Sequence, residues 1–178
     1  MKRHLFLTGP IGCGKSTTIT NALGDRIALC GGFLTRRCLE PHLHFTLESP
    51  DGNVKKTFLD FTPGKPAIDL AVFSEIYLRG EILILDEIGG IELLNPEFAS
   101  ALETVLSSGV PILGVIIGEG PAGALIDKLG LSEEYHWAVG KLRQQLYNDP
   151  NTLVYECTQY DENALLLARR WVEEYCHD

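Results

Sequence analysis

The sequence has no apolar run approaching the ~20 residues needed to span a bilayer. The stretch Leu5-Phe6-Leu7 after Met-Lys-Arg-His is too short for a signal peptide and is cut off at once by a glycine-rich loop, so it reads as a first strand. Basic residues are scarce: 15 Lys and Arg stand against 24 Asp and Glu, a formal net charge of −9. That balance argues against a basic face for nucleic acid or anionic lipid, so neither nucleic acid nor membrane is an expected partner. There is no C-x-x-C pair. The five cysteines, at positions 13, 30, 38, 157 and 176, form an odd, scattered set, as expected of reduced thiols in a cytoplasmic protein. Repeats, linkers and low-complexity segments are also missing, which leaves one domain over 1–178 as the expectation.

What is present alternates between short apolar strands and longer helical patterns, as βαβ units do. Strands are predicted over His4–Thr8, Ile27–Leu34, Glu81–Leu85, Pro111–Ile117 and Thr152–Cys157, and helices over Gly14–Leu23, Ala67–Leu78 and Asn95–Gly109. Helical segments follow to about Asn148, and a final helix is opened by Thr158-Gln-Tyr-Asp161, which resembles a capping box. Two period-two segments, His44–Glu48 and Val54–Leu59, flank Pro50-Asp51-Gly52-Asn53 and predict a β-hairpin. The hairpin would either extend the main sheet or lie beside the site as a flap. The fold class expected is a three-layer α/β fold, its mainly parallel sheet extended by an antiparallel hairpin.

The segment Gly9-Pro10-Ile11-Gly12-Cys13-Gly14-Lys15-Ser16 matches G-x-x-x-x-G-K-S/T in full, and Thr17 continues it into the helix. Glycines let the backbone close around phosphate oxygens with successive N–H groups pointing inward. The helix that follows turns its positive dipole end to the same place. In this pattern Lys15 reaches the β- and γ-phosphates and the Ser16 hydroxyl ligates Mg²⁺. Cys13 has no His or Asp nearby in sequence to activate it, so it reads as a small filler rather than a nucleophile. The other half of such a site is an acidic residue ending a buried strand. Leu83-Ile84-Leu85-Asp86-Glu87 supplies it. Asp86 is placed to share the metal with Ser16, and Glu87 to take a proton from an attacking water or orient it.

Taken together, Gly9–Thr17, Gly32-Phe33-Leu34-Thr35, Leu85-Asp86-Glu87-Ile88-Gly89-Gly90-Ile91-Glu92-Leu93 and Thr158–Leu165 occur in the order seen in a known family. The chain resembles the small P-loop nucleoside-triphosphatases that include the cancer-related nucleoside-triphosphatase. The resemblance implies Mg²⁺-dependent hydrolysis of nucleoside triphosphates, ATP and GTP among them, to diphosphate and phosphate. It implies little base selectivity, slow turnover and Glu87 as the water-activating group. Three features depart from the family. Gly90-Ile91-Glu92 stands where Lys-Met-Glu is usual, removing a cation from beside the phosphates. Arg36-Arg37 stands where acidic residues are usual, and the region 118–148 is longer and unlike its counterpart.

Hydrolysis needs positive charge over the γ-phosphate, and Arg36, Arg37, Lys141 and Arg143 are the candidates. His42 and His44 are spaced to share a strand face, where an exposed surface is a simpler reading than a metal site without a third ligand. A nucleotide or small-molecule kinase is the rival enzyme. It is disfavoured because no arginine-dense lid is evident and the Asp-Glu pair suits water as acceptor. A nucleotide-binding regulatory module with vestigial hydrolysis is the rival of another class, favoured by Gly90. No protein partner is legible.

Overall fold

The structure, a computed structural model, describes residues 1–63, 66–76, 78–118, 120, 129–131, 133–159 and 161–176. Among the described residues, eight strands form one sheet: β1 His4–Thr8, β2 Gly31–Cys38, β3 His44–Glu48, β4 Lys55–Asp60, β5 Ala67–Ile68, β6 Leu83–Ile88, β7 Ile112–Ile116 and β8 Thr152–Glu156. Their order is β5-β4-β3-β2-β6-β7-β1-β8. From β2 to β8 neighbouring strands are parallel, and β3, β4 and β5 add on antiparallel. The central parallel strands are buried because helices cover both faces: all five residues of β1 and of β7 are buried.

The helices bounded within the described residues are α1 Lys15–Leu23, the single turn α2 Ala71–Ser74, α3 Pro96–Ser108, α4 Glu133–Asn148 and α5 Glu162–Tyr175, with 3₁₀ turns at Gly24–Leu29 and Ile91–Leu94. On one face α1 and α5 pack around Ile19, Leu23, Ala164, Ala168 and Trp171. Trp171 is fully buried, and its Nε1 donates to the Arg3 carbonyl at 3.1 Å. On the other face α2, α3 and α4 cover Phe6, Phe33, Leu85 and Ile116. A chain of edge-to-face rings, Phe33–Phe98 at 5.9 Å, Phe98–Phe73 at 5.6 Å and Phe73–Phe58 at 5.1 Å, ties the antiparallel extension to α3. The expected three-layer fold is the observed one. The hairpin extends the sheet and is not a detached flap, because Leu34–Cys38 of β2 pairs with His44–Glu48.

Several boundaries differ from the expectation, each for a local reason. Residues 27–29, expected in the second strand, lie in the 3₁₀ turn, and β2 starts at Gly31 and continues past Leu34 to meet the hairpin. The expected helix over 67–78 is a short strand plus one turn. Ala67 and Ile68 pair with Asp60 and Leu59, and the Asp69 carboxylate holds the Ala71 N–H at 3.0 Å, restarting the chain as a helix only there. β6 begins later than expected and runs on through Asp86 and Glu87 to Ile88. At the last helix the cap is Asp161 itself, accepting from the Ala164 N–H at 3.0 Å. Thr158, expected as the cap, instead donates its own N–H to Asp161 at 3.1 Å. Part of the expected loop and helices over 118–132 lies outside the described residues.

The α3 cap is the best-defined local device. Asn95 Oδ1 accepts from the Phe98 N–H at 3.0 Å, Pro96 takes the first helical position, and Gly109 closes the helix with a positive φ of 82°. Its Nδ2 also donates to the Leu70 carbonyl at 2.8 Å and to Ser74 Oγ at 2.9 Å, joining α3 to α2. Asn95→Ala is therefore expected to lower stability by about 1–2 kcal/mol in denaturant unfolding. An unchanged midpoint and slope would mean that this cap contributes nothing.

Candidate active site

The site forms at the carboxyl ends of β1, β6 and β7, where parallel strands open onto the helix N-termini. After β1 the chain makes the loop Gly9–Gly14 and enters α1 with Gly14 in a left-handed conformation at φ 97°. Gly9 is needed for a steric reason as well. Its φ is 128°, and a Cβ there would lie 2.5 Å from the Cys157 carbonyl oxygen, because the end of β8 passes directly behind the loop. The Cys157 N–H donates to the Thr8 carbonyl at 2.8 Å, holding that support in place.

Lys15 leads α1, and its Nζ donates to the carbonyls of Gly9 at 2.9 Å and Pro10 at 2.7 Å, so the ammonium lies across the loop. Cys13 Sγ is 3.6 Å from that nitrogen, and the residue packs half-buried against the core under α1. Ile11 is exposed at the loop's tip and Thr17 on the first turn of α1.

Seventy residues on, β6 brings Asp86 under Ser16. The Ser16 hydroxyl donates to Asp86 Oδ1 at 2.8 Å. Asp86 is fully buried, and its other oxygen accepts from the Thr35 N–H at 3.3 Å, while Thr35 Oγ1 donates to the Asp86 backbone carbonyl at 2.9 Å. Burial raises the Asp86 carboxyl to about 6, against the opposing pull of the Ser16 hydroxyl, the Thr35 amide and the charges of Arg36 and Lys15. Glu87 is only partly covered. Burial and the neighbouring Asp86 charge push it up to about 7, with Lys15 acting in the opposite direction. A hydroxyl and a carboxylate are all-oxygen donors of the kind hard cations take. A buried carboxylate disfavoured as an anion is also a group that a bound cation would compensate. Ser16 and Asp86 therefore fit a magnesium ion.

The four candidate cations lie in different places. The Arg36 side chain is paired with Glu48 at 3.6 Å on the antiparallel extension, close enough for its charge to act on Asp86. Arg37, the next residue along β2, is exposed. Lys141 is drawn to the outer surface between helices, with Glu103 at 2.5 Å and the Trp137 ring at 5.6 Å. Arg143 turns inward, and its Nη1 donates to the Ile117 carbonyl at 2.6 Å, just past the end of β7. His42 pairs with Asp60 at 2.8 Å, and its ring lies 5.9 Å from that of His44.

Three groups at the site escaped sequence reasoning. Thr35 lay in a segment whose resemblance to the family was noted, but nothing local showed that it would face Asp86 across a parallel pairing. Glu92 stands in the Asp-Glu-Ile-Gly segment, yet a charged residue two places past a glycine pair reads as solvated. It is 4% exposed, and burial raises its carboxyl to about 7. Tyr135, buried on α4, donates to the Gly89 carbonyl at 3.3 Å.

Comparisons with known proteins place the chain among its relatives. A family model described as NTPase matches residues 62–148, which include the Asp86–Glu92 segment. The cancer-related nucleoside-triphosphatase of Homo sapiens is 30% identical over 158 residues, covering 72% of this chain and 83% of that protein. Nucleoside-triphosphatase THEP1 of Thermotoga maritima is 28% identical over 127 residues, covering 63% of this chain and 72% of its own length. The crystal structure of THEP1 from Aquifex aeolicus superposes with a TM-score of 0.68 at 17% identity, covering 98% of this chain and 99% of that one. At that identity the likeness shows the fold. The human relative, matched over most of both chains, shows the family: this chain belongs to the small P-loop nucleoside-triphosphatases.

Proposed function

We propose that the chain is a magnesium-dependent nucleoside-triphosphate phosphohydrolase that converts ATP, GTP and related triphosphates to diphosphate and phosphate, with Glu87 activating the water. The observation that carries the reading is the 2.8 Å bond from Ser16 to the fully buried Asp86, with Glu87 next on the same strand and Lys15 beside it in the loop. The relatives, named nucleoside-triphosphatases, support the reaction class.

The residues divide the work by position. The amides of Gly12–Ser16 and the α1 dipole bind the phosphates, and Lys15 Nζ moves from its loop carbonyls to phosphate oxygens. Ser16 and Asp86 would hold the magnesium ion, which would supply positive charge to the phosphates. Glu87 accepts a proton from the attacking water as its oxygen bonds to the γ-phosphorus. The bond from that phosphorus to the bridging oxygen breaks, and the diphosphate leaves. A carboxyl whose pKa lies near neutrality is suited to accepting a proton in the transition state. No nucleobase-reading motif stands out in the sequence.

One observation favours a second reading, a nucleotide-binding regulatory module: Gly90 puts no cation where the family usually has lysine. Phosphate release from the common triphosphates decides between them. Release without any added acceptor, stopped by EDTA and restored by Mg²⁺, is the expected result. Acceptor-dependent transfer would make the chain a kinase, and tight binding without release would make it the regulatory module.

Two substitutions test the named roles. Glu87→Gln should reduce kcat by about 10²–10⁴-fold while leaving nucleotide affinity within a few fold; wild-type turnover would remove Glu87 from the mechanism. Lys15→Ala should weaken triphosphate binding at least about tenfold by calorimetry, since an ammonium–phosphate contact is among the stronger hydrogen bonds. Unchanged affinity would refute the loop assignment.

A further inference from the structure

Glu87 is the one non-glycine residue with positive φ among those described, at 73°, a conformation that L side chains rarely adopt. It sits in a break of the β6–β7 ladder. Leu85 pairs with Gly114 and Ile88 with Ile116, so β6 carries one more residue than β7 over that interval. The chain then turns through Gly89, with φ 90°, into the 3₁₀ turn Ile91–Leu94. A bulge and a left-handed residue persist only where their surroundings hold them.

The groups that hold this turn can be named one by one. The Ile88 carbonyl accepts from the Ile117 N–H at 2.9 Å. The Gly89 carbonyl accepts from the Tyr135 hydroxyl at 3.3 Å. The N–H groups of Gly89 and Gly90 both donate to one oxygen of Glu92, at 2.6 and 2.9 Å. Glu92 is almost wholly buried and has no lysine or arginine paired with it among the described residues. A buried carboxylate held by two amides and no cation is a poor source of stability. Its geometry, in contrast, fixes the two peptide groups that follow Glu87 and Ile88.

Gly90 belongs to the same device. Its φ of −107° is open to any residue, so conformational freedom does not require glycine there. A Cβ at this position would lie 2.8 Å from Glu92 Oε2 and 2.9 Å from Ile117 Cδ1. Glycine lets the carboxylate lie flat against the turn it grips.

We propose that Glu92 is the positioning residue for Glu87: by binding the Gly89 and Gly90 amides it locks the bulge that aims the Glu87 carboxyl at the attacking water. The proposal rests on the reading of Glu87 as the water-activating group. Glu92 touches no substrate and acts through the backbone, so its acceptor oxygen matters and its charge does not.

The test compares Glu92→Ala, Glu92→Gln, Tyr135→Phe and Glu87→Gln, measuring kcat and Kd for ATP with Mg²⁺ and hydrogen exchange of the Gly89 and Gly90 amides by NMR. Glu92→Ala should lower kcat by about a hundredfold, the cost of misplacing a reacting group by about 1 Å, with Kd within a few fold and both amides exchanging faster. Glu92→Gln, which keeps the acceptor oxygen, should recover most of the turnover and the protection. If Glu92→Ala does not fold, Tyr135→Phe, which releases the Gly89 carbonyl alone, should still lower kcat with Kd unchanged. Loss of turnover in Glu92→Gln equal to that in Glu92→Ala would overturn the proposal, giving the residue a charge or proton role. So would unchanged kcat in Glu92→Ala despite lost amide protection, or unchanged kcat in Tyr135→Phe. Wild-type turnover in Glu87→Gln would instead defeat the reading of Glu87, while the amide exchange would still report whether Glu92 holds the turn.

Discussion

Asp86 is a carboxylate with no solvent exposure, placed where three segments distant in sequence meet. It accepts from Ser16 at the head of α1 and from the Thr35 backbone on β2, while its own carbonyl takes the Thr35 hydroxyl. Burying such a group costs free energy unless its oxygens are satisfied, so the surrounding elements are constrained to supply donors. That constraint fixes the register of β2 on β6 near Phe33–Leu85 and sets the depth at which α1 leaves the phosphate loop. Any cation recruited by the pair arrives at a site already assembled around it. The same burial that makes Asp86 a poor anion on its own makes it a strong ligand once a positive charge is near.

The fold was legible because its signals are local and redundant. Continuous apolar runs marked β6 and β7 as strands covered on both sides, and Asn95-Pro96 with Gly109 marked both ends of α3. Where one signal stood alone, the expectation drifted. The segment 67–78 has helical composition, but Ala67 and Ile68 found ladder partners in β4, and tertiary pairing outweighed propensity there. Thr158 and Asp161 are both good caps three residues apart, and local pattern alone does not rank them. The chain chose Asp161, whose carboxylate serves Ala164 and Thr158 together.

The site was legible in proportion to how linear it is. Gly9–Thr17 is a contiguous motif, and Asp86-Glu87 ends a strand recognisable by its apolar run, so both halves could be named without coordinates. Thr35, Glu92 and Tyr135 enter by pairing and burial, which leave no periodic trace. Glu92 shows the difficulty best. Its sequence context, beside two glycines and before an ordinary helix cap, is that of a loop carboxylate. Only the packing of α4 over Gly89 explains why it is enclosed.

The distribution of positive charge follows from the same packing. Lys141 and Arg143 are two residues apart on α4, so their side chains leave the helix in different directions. One reaches outward to Glu103 and the other inward to the Ile117 carbonyl, beside the turn that carries Glu87. Arg36 is held by Glu48, yet its charge reaches Asp86. A side chain at position 90 would need the ends of Glu92 and Ile117 to shift, since its Cβ would lie 2.8 Å from Glu92 Oε2 and 2.9 Å from Ile117 Cδ1. The chain therefore combines a tightly gripped Glu92 with a glycine at 90. Among the described residues, the positive charge acting on Asp86 comes from Lys15 within the loop and Arg36 on β2, and that acting on Glu87 from Lys15.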